Sequence, residues 1–115
     1  MSHLLRHGMA DAVLSDMAHA FTGQGDLDHD LQLGLAGTAS LYAFAVLRRN
    51  GALLLKVRKG ARDGVLARAL RAVFRTVHTV KPPSSRSDSG EYFLLALGFK
   101  RSALTPAVLD TIGAL

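Results

Sequence analysis

The chain alternates apolar runs with polar breaks, and the length of each run separates strands from helices. "DAVLSD", residues 11–16, is a short apolar run closed by polar residues and predicts a buried strand. Residues 17–26 carry Gly23 and Gly25 and read as a loop. Asp28 or Asp30 then supplies an N-cap for a long apolar segment ending at Arg49. That segment is too long for a strand and apolar nearly all round, so it predicts a buried helix. "RNG", residues 49–51, stops it, and "ALLLKV", residues 52–57, predicts the second strand. After the loop "RKGAR", Asp63 caps a helix over residues 64–75. Its Leu66, Ala69, Leu70, Val73 and Phe74 fall on one apolar face, with Arg68, Arg71 and Arg75 as a basic stripe away from it. Residues 77–81 make a weaker third strand, and "PPSSRSDSG", residues 82–90, is the clearest loop. Residues 91–99, "EYFLLALGF", are the fourth strand, and residues 106–114 a short terminal helix.

The order β-α-β-α-β-loop-β predicts an α/β fold, a mostly parallel sheet with helices on both faces. The last two strands have no helix between them. Their loop of about nine residues is short for a parallel crossover, so the last strand is expected to run antiparallel.

Composition narrows the class. Of 115 residues, 49% are hydrophobic, enough for a packed core and against global disorder. The absence of cysteine excludes disulfides and thiolate metal sites and fits a reducing compartment. A net charge of +5 suits a polyanionic partner such as nucleic acid, although solubility alone also accounts for it. No apolar run approaches the roughly 20 residues of a membrane span, and the start lacks the apolar stretch of a signal peptide.

One residue interrupts the second strand. Lys56 stands within "LLLKV", where a charged amine is costly unless paired or neutralised. In open α/β sheets ligands bind at the carboxyl ends of the parallel strands. Asp16 ends the first strand, Lys56 lies near the end of the second, and an antiparallel last strand brings Glu91 to the same rim. Lys56 then reads in two ways, as a general base flanked by carboxylates or as an ion-paired lysine at a strand end. Arg58, Lys59 and Arg62 follow at the same rim and suit phosphate contacts.

"DAVLSDMA", "TGQGDLDHD", "NGALLLKV" and "VKPPSSRSDSGEYFLLALG" together resemble, in order and spacing, the FtsJ-type ribosomal RNA 2'-O-methyltransferases. The resemblance covers residues 10–101, and "DLDHD" is more similar to the mitochondrial branch than to the bacterial one. It implies a Rossmann-like methyltransferase that uses S-adenosylmethionine to methylate a uridine ribose of large-subunit rRNA, in mitochondria or otherwise in the cytoplasm. Within the family's Lys-Asp-Lys-Glu tetrad, Asp16 matches the aspartate beside the methyl donor, Lys56 the proton acceptor and Glu91 the glutamate. Ser84, Ser85 and Arg86 match the loop near the RNA-binding rim. The family's Gly-rich donor loop, its acidic ribose-gripping residue and the first tetrad lysine have no counterpart in this sequence, and "SDMAHA" stands where the family reads "SDMAPN". The resemblance therefore implies a C-terminal half, strands four to seven of the full sheet, with an exposed central-strand edge and a need to pair with a missing N-terminal half or with itself. The alternatives are an inactive RNA- or ribosome-binding remnant and one piece of a split methyltransferase.

Histidines complete the candidates. His3 and His7 share helical spacing without a third ligand. His29 lies between Asp28 and Asp30, where helix capping explains the aspartates without a metal. No metal site is expected.

Overall fold

The computed structural model describes residues 10–16, 22–81 and 90–115. Strand β1 (Ala10–Ser15) is followed by helix α1 (Gly25–Val46), β2 (Leu47–Arg58), α2 (Asp63–Val73), β3 (Phe74–Val80), β4 (Glu91–Phe99), a 3-10 turn (Arg101–Ala103) and α3 (Pro106–Gly113). The four strands lie in the order β1-β2-β4-β3. β1 and β2 run parallel, while β4 is antiparallel to both its neighbours, β2 and β3. The last strand thus inserts backwards between two parallel ones, as the short connection requires.

Side chains alternate across the sheet with period two. Leu53, Leu55 and Val57 of β2 and Leu94 and Ala96 of β4 are fully buried. They pack against Leu33, Ala36, Ala43 and Phe44 of α1 and Leu66, Leu70 and Val73 of α2. Ala36, Gly37, Ala39, Ser40 and Ala43, all small residues of α1, are buried. α3 caps this layer by packing on both other helices.

The expected helices on both faces are not what forms among the described residues. All three helices share one core on one face. The opposite face carries Leu14 beside Leu54 and Leu95, Ala52 beside Leu97, and Lys56 beside Phe93 and Val80. Leu14 is 74% exposed, and Val80 and Leu97 are also open to solvent. Both crossover helices close over the same side because they connect strands laid down successively in one direction along the sheet.

Three boundaries move. α1 ends at Val46 and β2 begins at Leu47, so "RNG" is no helix stop. It is a bulge inside β2: the step from Ala10 to Ala12 in β1 faces the longer step from Leu47 to Ala52 in β2. Asn50 takes the left-handed conformation there (φ 68), and a Cβ at Gly51 would come within 3.1 Å of the Asp11 carbonyl oxygen. β3 starts at Phe74, earlier than its polar composition suggested, which leaves Arg75 on a strand rather than in the helical stripe. The helix caps also differ. Gln24 precedes α1, and Asp28 instead accepts from the Thr22 and Gly23 amides and the Thr22 hydroxyl, tying down the preceding loop. Arg62 precedes α2, and Asp63 accepts from the Gly60 amide and the Tyr92 hydroxyl.

Candidate active site

Ser15 pairs with Leu55 across β1 and β2, so the residue after each stands at the same level of the sheet. Parallel pairing brings Asp16 to Lys56: Nζ to Oδ1 is 2.6 Å. The lysine side chain is 19% exposed and the aspartate 74%. Two residues on, Arg58 pairs in register with Glu91 at the start of β4, with guanidinium and carboxylate 3.9 Å apart. The rim predicted from topology is therefore real: Asp16, Lys56 and Glu91 meet at one edge, joined there by Arg58.

The electrostatics fix the resting state of Lys56. Its hydrogen bond to Asp16 holds its pKa above the usual 10.5; burial opposes this, and the charges of Glu91 and Asp16 add to it. The amine rests as an ammonium.

The remaining candidates divide. The Lys59 amide donates to the Gly90 carbonyl at 2.7 Å, which holds the β2–α2 loop against the start of β4. The Arg62 side chain lies 3.8 Å from Asp30 and is 46% exposed. Ser84, Ser85 and Arg86, and with them His3, His7 and His19, fall outside the described residues.

The sequence pattern alone did not point to the polar face of α1. His29 and Gln32 are buried beneath the rim. Gln32 Nε2 donates to the Lys56 carbonyl at 3.3 Å. The two ring nitrogens of His29 bond the backbone of Arg58 and Arg62. The signal was present: His29, Leu33, Ala36 and Ser40 recur at helical spacing, so His29 belongs to the buried stripe. Tyr92 of β4 also carries a polar contact; burial and its bond to Asp63 push its phenol well above the ordinary range.

Asp16, the residue matched to the methyl donor, stands open at the edge strand of the sheet. The described residues around it do not enclose a donor such as S-adenosylmethionine.

A mixed α/β sheet with an inserted antiparallel last strand and a lysine–carboxylate rim defines part of a Rossmann-like methyltransferase. Comparison with known proteins agrees. The FtsJ-like methyltransferase family model matches residues 1–99, and the chain belongs to that family. It is 44% identical over 93 residues to the ribosomal RNA large subunit methyltransferase E of Ruegeria sp., covering 81% of this chain and 39% of that protein. It is 46% identical over 90 residues to the Bartonella henselae protein of the same name, covering 78% and 36%. A crystal structure described as a ribosomal RNA methyltransferase from Plasmodium falciparum superposes with a TM-score of 0.70 at 27% identity, over 78% of this chain and 47% of that one. The chain thus spans about two fifths of the length of the curated relatives it matches.

Proposed function

We propose that this chain supplies the acceptor side of an S-adenosylmethionine-dependent transfer of methyl to a ribose 2'-hydroxyl of large-subunit rRNA. The observation that carries the reading is the 2.6 Å contact between Lys56 and Asp16 at the carboxyl rim of the sheet, beside the Arg58–Glu91 pair. Family membership supports methyl transfer, and the relatives' names support rRNA as the substrate class.

A ribose hydroxyl is a weak nucleophile and gains from a positioned base. Lys56 is that base in this reading, while Asp16 and Glu91 orient it. Both carboxylates also favour the ammonium. The free amine therefore forms as pH rises, or when Asp16 is drawn away from Nζ. In this reading Arg58, Lys59 and Arg62 form the cationic edge that takes RNA phosphates, and the family resemblance assigns Ser85 and Arg86 to the same task. The donor cradle belongs to a second segment, supplied in the same or another chain, which covers the open apolar face and continues the sheet at β1. The exposure of Leu14, Val80 and Leu97 on that face supports this part of the reading.

The test is a chimera that joins the unmatched region of the Ruegeria relative to this chain. Incubated with labelled donor and undermethylated large-subunit rRNA, it is expected to place label on a ribose 2'-oxygen, read as an alkali-resistant dinucleotide. Label on a base, or no transfer by a folded chimera that binds donor, contradicts the proposal.

A further inference from the structure

His29 has no place in the proposed chemistry, yet it is buried directly under the rim, at 5% exposure. Its Nδ1 lies 2.9 Å from the Arg58 carbonyl oxygen, and the Arg62 amide lies 3.1 Å from its Nε2. A carbonyl only accepts and an amide N–H only donates. The ring is therefore neutral, with its proton on Nδ1, and both nitrogens are engaged by backbone, leaving none for a metal. Between the two contacts the chain passes so close over the ring that a Cβ at Gly60 would sit 2.3 Å from Nδ1. Two further bonds flank the clasp: the Lys59 amide to the Gly90 carbonyl, and the Gly60 amide to Asp63.

We propose that His29 is a positioning residue: its two-sided clasp fixes the Arg58–Arg62 segment and, through it, the cationic edge presented to RNA phosphate. The imidazole does in one side chain what a pair of strand neighbours does elsewhere. It satisfies a carbonyl and an amide that the turn takes out of the sheet ladder. It also sets the spacing of three basic residues. A loop free to sample other conformations would lose ordering free energy on binding RNA; a fixed one does not.

The RNA half of this inference rests on the function proposed above, so the experiment reads the clasp and the RNA separately. On the intact chain, long-range proton–nitrogen NMR is expected to find the Nδ1–H tautomer of His29 at neutral pH. His29→Phe keeps a ring in the site and removes both bonds. In that variant the Arg62 amide is expected to exchange about tenfold faster, the loss of one ordinary hydrogen bond, while the amides of residues 66–73 keep their protection. Anisotropy with a short rRNA hairpin at fixed salt is expected to report affinity about threefold to tenfold weaker. His29→Asn, which retains a donor toward Arg58, is expected to recover part of the loss. An Nε2–H or doubly protonated ring in the wild type overturns the clasp without requiring any variant to fold, as does unchanged Arg62 exchange in a folded His29→Phe. Faster exchange with unchanged RNA affinity overturns the positioning role. A wild-type chain that shows the clasp but binds no RNA leaves the clasp standing and counts against the proposed function instead.

Discussion

Lys56 decides how the rim behaves with pH. Its amine is raised above 10.5 by Asp16, so the folded state holds its proton more tightly than the unfolded chain. The sign follows: the pair stabilises the fold fully below the unfolded pKa, and that contribution is lost as pH rises through the folded one. With Asp16 74% exposed, the contribution stays in the range of solvent-facing pairs, about 0–1 kcal/mol. NMR titration of the Lys56 side chain is expected to give a midpoint above 10.5, and Asp16→Asn a lower one. A wild-type midpoint below 10.5 contradicts the geometry. The positions of Asp16, Lys56 and Glu91 were legible in the sequence because strand ends and strand direction place them. The protonation state was not, because it depends on a 2.6 Å contact that only folding makes. His29 was hidden for a different reason: its flanking aspartates drew it toward capping or metal chemistry, while its spacing put it in the core.

At the scale of elements, two glycines carry opposite consequences. Strict alternation along β4 would put Phe99 on the same face as the exposed Leu97. Gly98 adopts φ +77, which breaks the alternation, and Phe99 ends fully buried. There it stacks on Phe44 at 5.7 Å and tilts against Phe74 at 5.2 Å, joining α1 to the far edge of the sheet. A Cβ at Gly98 would also lie 2.8 Å from the Arg75 side chain. Gly98→Ala is expected to destabilise by about 1–3 kcal/mol, from left-handed strain and displacement of Arg75. Gly64, inside α2, is the control, because a Cβ there would meet nothing within 4 Å. Gly64→Ala is expected to stabilise by roughly 0.5–1 kcal/mol. Urea midpoints at constant slope read both, and equal effects would remove the special role of Gly98. The strand and helix cores were legible from periodicity, but the α1–β2 junction was not. The apolar run from Leu41 through Leu47 crosses it without a breaker, and Asn50–Gly51, which does look like one, makes a bulge instead.

For the whole molecule, one helical layer on one sheet face buries a continuous core and leaves the other face partly apolar. The two-faced sheet expected from alternating strands and helices describes a complete α/β fold, whereas this chain spans about two fifths of its relatives. Periodicity can say that a face is apolar; it cannot say what covers it. The open face and the open Asp16 edge both support the arrangement proposed above, in which this chain carries the acceptor-side residues and a second segment the donor cradle. Lys56 reaches solvent from that open face, so covering it would also enclose the amine. The most direct measurement is therefore the Lys56→Ala variant of the chimera with the Ruegeria region, assayed for methyl transfer to rRNA and, by calorimetry, for S-adenosylmethionine binding. The expected result is loss of transfer with donor affinity unchanged; turnover equal to that of the unsubstituted chimera would contradict the assignment of Lys56 as the group that takes the ribose proton.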